Sequence, residues 1–384
     1  MIYLDNAATT FLNTNIDINK TLYLCSGNPS SLHELGRLSE IQINKTRDIL
    51  SQYFYVKPKN VIFTSGGTES NNLALIGSAL KLKKKGNHII STVYEHKSNL
   101  ETLKYLETLG FEITLLSPDE NGEITSTALS NAITENTILI SIIHVNSDVG
   151  YINDIENLAS IAKSYNKNII FHSDCVQSFL KLNLQNLENI DLISISAHKV
   201  NGLKGTGALI KKDTIQLLPI IHGSNQEFGL RAGTENVLGI SIFGQTTELL
   251  INNIKERYIQ TQKINNILKN YLLSNKKIII NSTDNSSPYI LNASFLGIKS
   301  EVLLHSLSNV GVMVSSGSAC SSHSKIKNNT LFVMNKSNNI IDSSIRFSFM
   351  NNEENEILYT IEKLKELIPI LDIGGLKRWM VHFY

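Results

Sequence analysis

A chain of 384 residues exceeds what one compact core ordinarily holds, so two domains, or a large domain with a smaller lobe, are expected. Its 35 basic and 34 acidic side chains leave no excess charge to attract nucleic acid or an anionic membrane, while a hydrophobic fraction of 42% is enough for a packed core. No stretch approaches the roughly 20 apolar residues that span a bilayer, and the N-terminus has no basic region followed by an apolar one. The three cysteines, Cys25, Cys175 and Cys320, lie far apart and never in CxxC spacing, which argues against a disulfide framework or a zinc site and for a reducing cytoplasm.

From about residue 60 one rhythm repeats: a short β-rich run ends in small or polar residues, and an amphipathic stretch follows. Runs 60–64, 88–92, 111–115, 137–143, 168–172, 192–196 and 207–210 read as buried strands, and stretches 71–85, 98–109 and 155–165 as crossover helices. This is α/β grammar, and it predicts a mostly parallel sheet with helices on both faces and function at the strand ends. A helical pattern over 237–273 bridges into a second lobe with strands at 277–280, 289–294 and 344–348 and a closing helix over 353–371. The expected division is a large domain over residues 1–250 and a smaller α+β domain over 251–384, with about the first dozen residues packed on the smaller one.

Lys199 leaves one of these apolar strands in the sequence Ser196-Ala-His-Lys199. A lysine after a strand is ordinarily a solvated loop residue, but one that is desolvated becomes an amine able to form a Schiff base with an aldehyde. Its neighbours favour the second role. About one βαβ unit upstream, Asp174 ends another strand, where a carboxylate can pair with a pyridinium nitrogen and keep that ring an electron sink, and Gln177 lies within reach of the ring's phenolic oxygen. Strand 61–64 runs into Ser65-Gly-Gly-Thr-Glu-Ser70 and then a helix, which gathers free N–H groups and the positive helix end at one point suited to phosphate. The segment is neither GxxxxGK[ST] nor GxGxxG, so a nucleotide is not indicated. His96 follows the next strand and emerges at the same edge, placed to stack on the ring and to move protons. Taken singly, Asp174 reads as a helix cap, the turn as an ordinary connection and His96 as structural. Together they make pyridoxal 5'-phosphate (PLP) the expected cofactor.

With these pieces in order, the chain resembles the cysteine desulfurases of the NifS/IscS type, within the class V aminotransferase superfamily of fold type I PLP enzymes. The resemblance runs nearly end to end through Tyr3-Leu-Asp-Asn-Ala-Ala-Thr-Thr10, Gly27-Asn-Pro-Ser-Ser31, Phe63-Thr-Ser-Gly-Gly-Thr-Glu-Ser-Asn-Asn72, Glu95-His-Lys97, Ser196-Ala-His-Lys199, Arg231-Ala-Gly-Thr-Glu-Asn-Val237, Ser315-Ser-Gly-Ser-Ala-Cys320 and Ser343-Ser-Ile-Arg346. It implies that Lys199 holds PLP as a Schiff base and that His96 stacks on the ring. Asp174 and Gln177 would contact the ring nitrogen and phenolic oxygen, and Gly67, Thr68, Ser196 and His198 the phosphate. Thr234 matches a threonine that reaches the neighbouring subunit's phosphate, which implies a homodimer. Asn28 and Arg346 match the residues that hold the α-carboxylate of L-cysteine, a role suited to a planar guanidinium. Cys320 matches the cysteine that receives sulfur as a persulfide and passes it to an acceptor protein in iron–sulfur cluster assembly or tRNA thiolation. Cys175 reads as packed and Cys25 as incidental.

The sequence departs from the family pattern in three places. Asn146-Ser-Asp-Val-Gly150 puts Ser147 where an asparagine usually contacts the phenolic oxygen. Gly223-Ser-Asn-Gln-Glu-Phe-Gly229 replaces an arginine by Phe228, and residues 325–329 and 350–352 differ around the cysteine loop and after Arg346. The competing expectations are an aminotransferase or selenocysteine lyase on the same scaffold, for which Cys320 is dispensable, and a non-catalytic homologue that binds sulfur-carrier partners.

Overall fold

The computed structural model describes residues 1–184, 187–316 and 330–380. Its strands in chain order are β1 (Ile2–Tyr3), β2 (Val61–Thr64), β3 (His88–Thr92), β4 (Glu112–Leu116), β5 (Thr137–Ser141), β6 (Ile170–Asp174), β7 (Leu192–Ser196), β8 (Gly207–Lys211), β9 (Ile278–Ile280), β10 (Ile290–Phe295), β11 (Val312–Met313), β12 (Ser315–Ser316) and β13 (Ser344–Ser348). The main sheet has the order β2-β8-β7-β6-β5-β3-β4. Neighbouring pairs among β3 to β7 are parallel, and β8 runs antiparallel to both β2 and β7. The expected mostly parallel sheet is thus present, with β8 as its one reversed strand.

The continuous apolar runs have a simple cause: both faces of this sheet are covered. Successive residues alternate between two cores. Phe63, Ile90, Ile140, Phe171, Ile193 and Ala208 enter one, while Ile62, Ile89, Leu139, Ile170, Leu192 and Leu209 enter the other. Helices Glu34–Tyr53, Ile155–Tyr165 and Val237–Ile251 cover the first face through Leu50, Leu158 and Phe243, and helices Gly67–Leu82 and Lys97–Thr108 cover the second through Leu73 and Leu106.

A second, four-stranded antiparallel sheet has the order β12-β13-β10-β9 and its own core, in which Phe295 and Phe347 sit with ring centroids 6.4 Å apart among Leu4, Leu303 and Leu364. The chain start belongs to this part: β1 pairs in parallel with β11, and Asp5 bridges to Ser348. The 237–273 pattern is two helices, Val237–Ile251 and Ile254–Leu273, because the polar pair Asn252-Asn253 interrupts the apolar period between them. The closing helix runs Glu354–Met380, past the expected end at 371. No helix among the described residues is long and apolar enough to cross a membrane.

Candidate active site

The topology delivers the chemistry to one edge. β2, β3, β5, β6 and β7 all end there, at Thr64, Thr92, Ser141, Asp174 and Ser196, and β8 starts there with Gly207 paired to both Thr64 and Ser196. That pairing needs a glycine: a Cβ on Gly207 would lie 2.7 Å from the Cα of Gly66, in the turn that follows β2.

Helix Gly67–Leu82 begins on that turn with Gly66 as its N-cap and no side chain capping it. The first N–H groups of this helix point to the sheet edge with its positive end behind them. Gly67 packs against the loop after β6 so closely that a Cβ would meet Val176 Cγ2 at 2.7 Å. Ser196 lies opposite, and its Oγ is buried without a hydrogen-bond partner among the described residues. Such an orphaned hydroxyl costs about 1–3 kcal/mol unless a ligand satisfies it. Burial, reinforced by the charges of Lys199, Lys204 and Lys181, holds His198 down to about 4, so its ring is neutral at physiological pH; Nδ1 pairs with Thr9 Oγ1 at 3.1 Å. Thr68, on the first turn, is exposed. Gly67, Thr68, Ser196 and His198 are therefore brought together at one point of the sheet edge, with donors that could hold a phosphate.

Asp174, 3% exposed, forms no ion pair among the described residues. Its Oδ1 accepts from Val176 N at 3.0 Å and its Oδ2 from Asn71 Nδ2 at 2.7 Å. A buried carboxylate held by neutral donors is ready for a cationic ring nitrogen. Asn71 Nδ2 also donates to Ser98 Oγ at 2.9 Å, and Ser98 Oγ lies 2.8 Å from His96 Nδ1. The Ser98 hydroxyl, already an acceptor from Asn71, has its hydrogen free for His96. Since Ser98 N donates to the same Nδ1 at 3.1 Å, the neutral imidazole carries its hydrogen on Nε2. His96 is the N-cap of helix Lys97–Thr108 and is exposed, so its edge is fixed while its ring is accessible. Next to it Glu95, fully buried, accepts from Thr92 Oγ1, Asn99 Nδ2 and Ile143 N, which ties the ends of β3 and β5 together. Replacing Ser98 by alanine removes the hydroxyl between His96 and Asn71, and turnover is expected to fall about tenfold, the equivalent of one hydrogen bond, with PLP retained. Steady-state rates of the loaded variant check this, and an unchanged kcat would refute it.

Lys199 Nζ donates to the carbonyls of Ala7 and Ala8 at 2.6 and 2.8 Å. The segment Tyr3–Thr10 is therefore part of the site, a role its sequence motif does not announce. Gln177 Nε2 donates to the same Ala7 carbonyl at 2.8 Å, so the amide stands beside the lysine. Arg346, in the middle of β13, donates through Nη1 to the Ser147 carbonyl at 2.8 Å and through Nη2 to Asp5 Oδ1 at 2.9 Å. Its Nε is buried and has no partner among the described residues. Ser147 is joined to the site through its backbone, a contact that its hydroxyl side chain does not affect.

Some expected residues are not brought in. Asn28 is exposed in a turn where its Oδ1 accepts from Ser30 N, and no hydrogen bond joins it to Arg346 or Lys199 among the described residues. Thr234 is exposed in the loop before helix Val237–Ile251. Cys320 and residues 325–329 lie outside the described residues. Cys175 is fully buried, with its thiol pushed up to about 12 by burial, and Cys25 is partly buried. Phe228 stands on the rim at φ +59°, with the Arg47 guanidinium 5.0 Å from its ring centroid; that loop keeps its shape because Glu227 accepts from Arg47 and from Phe63 N. In the third departure, Asn352 Nδ2 donates to the Tyr3 carbonyl.

The donor set fits PLP: free helix N–H groups and an orphaned hydroxyl for the phosphate, a buried carboxylate for the ring nitrogen, an amide for the phenolic oxygen and an amine for the aldehyde. Comparison with known proteins agrees. The Aminotransferase class-V family matches residues 2–359. A protein of Dictyoglomus turgidum named cysteine desulfurase IscS is 39% identical over 96% of this chain and 95% of its own length. The protein of that name from Buchnera aphidicola subsp. Baizongia pistaciae is 40% identical over 96% of this chain and 92% of its own. A solved NifS-like protein superposes with a TM-score of 0.90 at 31% identity, covering 96% of this chain and 100% of that one. The chain belongs to the Aminotransferase class-V family and, within it, to the PLP-dependent cysteine desulfurases.

Proposed function

We propose that this protein converts L-cysteine to L-alanine and takes the sulfur onto Cys320 as a persulfide, for delivery to an acceptor protein of iron–sulfur cluster assembly or tRNA thiolation. The observation that carries the reading is the convergence of the Lys199 amine, the Asp174 carboxylate and the Ser196 hydroxyl at one sheet edge, with Arg346 anchored beside it. The two separate apolar cores support a division near residue 250 into a cofactor-binding and a smaller domain.

When bound, PLP supplies an electron sink for the bonds to the substrate's α-carbon. Lys199 holds it and then moves the proton at that carbon. Arg346, oriented by Asp5 and by the Ser147 carbonyl, offers its remaining N–H to the α-carboxylate, with Asn28 as the second contact once the site is filled. His96, with its hydrogen on Nε2, serves the proton traffic at the substrate sulfur. The Cys320 thiolate attacks that sulfur, an S–S bond forms as the C–S bond breaks, and the carbon product gains protons to leave as alanine. What supports this reading is that Ser315 of β12 pairs directly with Arg346, and that Cys320 follows Ser316 by four residues in the sequence. Thr234, exposed on its loop, suits a contact to the phosphate of a second subunit in a homodimer.

Cys320→Ala tests the reading. Sulfide release from cysteine is expected to fall by roughly 10²-fold or more while the protein remains yellow, because a nucleophile is lost and the cofactor site is not. Undiminished release would favour direct elimination, as in a lyase. A colourless wild-type protein that takes up no PLP would remove the enzymatic reading altogether.

A further inference from the structure

Lys181 is 1% exposed, yet among the described residues no carboxylate pairs with it. It lies four residues after Gln177, just past the strand end that carries Asp174. Its Nζ donates to Gln177 Oε1 at 3.3 Å and stands 5.8 Å from the centroid of the Tyr289 ring. The other charged groups that face it are cations: Lys199 after β7, Arg346 on β13 and Arg257 on helix Ile254–Leu273. Burial, together with these charges, brings its ammonium down to about 7. A buried lysine surrounded by cations is costly for a folded protein and is kept in place where a ligand brings the missing negative charge.

We infer that Lys181 is a positioning residue for the cofactor's phenolic oxygen, acting through Gln177. An amide has one accepting and one donating end. With Lys181 donating to Oε1, the Gln177 NH₂ is turned toward the Ala7 carbonyl, at 2.8 Å, the same oxygen that accepts from Lys199 at 2.6 Å. The donor end of Gln177 is thereby locked beside Lys199, where a ring oxygen next to the lysine-linked carbon will sit. Lys181 adds a second effect through space. Where it carries its proton, Lys181 favours negative charge on the ring oxygen and disfavours a proton on the Lys199 nitrogen. This inference rests on the PLP site proposed above and adds to it a residue that touches neither substrate nor cofactor.

The test is a pH titration of the visible absorbance of the PLP-loaded enzyme, which follows the proton on the Lys199–PLP linkage and does not depend on turnover. Lys181→Met removes the charge and the donor; Lys181→Gln removes the charge and keeps a donor. The midpoint is expected to move to higher pH by roughly one unit in Lys181→Met and by less in Lys181→Gln. Thermal melting identifies which variants are folded, and one folded variant is enough. A midpoint that stays within about 0.2 units of wild type in a folded, PLP-loaded variant overturns the inference, since a purely structural lysine would leave it there. A wild-type protein without a visible band overturns the PLP site and this inference together, so the two failures are told apart by the wild-type spectrum.

Discussion

Lys199→Ala should lose turnover of cysteine by roughly 10³-fold or more, the largest loss expected from any single substitution in the chain. The amine has two tasks that no neighbour can assume. In the proposed mechanism it tethers the cofactor and serves as the base at the α-carbon. The nearest other lysine on the inner side, Lys181, is buried and committed to Gln177. The fold should survive, because Lys199 is partly exposed and the Ala7 carbonyl keeps its hydrogen bond from Gln177 Nε2 while that of Ala8 lies at an exposed residue. The expected cost is about 1 kcal/mol and a melting temperature lowered by only a few degrees. A small primary amine added to the variant should restore part of the rate. Full turnover in the unsupplemented variant would remove Lys199 from the mechanism.

Asp174 carries the second large effect. Asp174→Asn keeps the shape and one accepting oxygen for Asn71 or Val176 N, and it loses the charge proposed to pair with the ring nitrogen. Turnover is expected to drop by on the order of 10²–10³-fold with little change in melting. Asp174→Ala should show the same catalytic loss and, in addition, about 2 kcal/mol of destabilisation, because the buried Asn71 amide loses one of its two acceptors and the half-buried Val176 N–H loses its acceptor. The pair separates charge from packing. If Asp174→Asn turns over like wild type, the carboxylate serves only as a structural acceptor in the loop after β6.

The large sheet was legible because its strands are buried on both faces and therefore read as continuous apolar runs; residues 88–92 and 192–196 match their strands residue for residue, and the run 60–64 overshoots β2 by one. Strand-end logic then pointed to Asp174, Lys199 and His96, and the family resemblance added Ser196. Pairings that involve only two residues, such as β1 with β11, left no period to detect. The direction of β8 was equally hidden, since an apolar run is the same read from either end. Asn71 and Ser98 fell within recognised motifs or beside them, but their role as a bridge depends on the distance between helices Gly67–Leu82 and Lys97–Thr108, a tertiary fact. Lys181 gave no signal either. A lysine four residues beyond a glutamine reads as a solvated helix face, and only the fold shows that it is enclosed.

The pairing of the chain's first residues with much later ones sets the order in which the enzyme can come into being. Ile2 sits against Val312 and Asp5 against Ser348, and the same short segment presents the Ala7 and Ala8 carbonyls to Lys199. During synthesis the ribosome delivers Lys199 and the whole parallel sheet well before it delivers residues 312 and 348. Residues 2–5 must therefore wait for partners made much later, a closure over more than 300 residues. A nascent chain can gather a cofactor site around its sheet, but the segment that holds the lysine's acceptors gains its own partners only after residues 312 and 348 are made, and the stretch that carries Cys320 is synthesised between those two points.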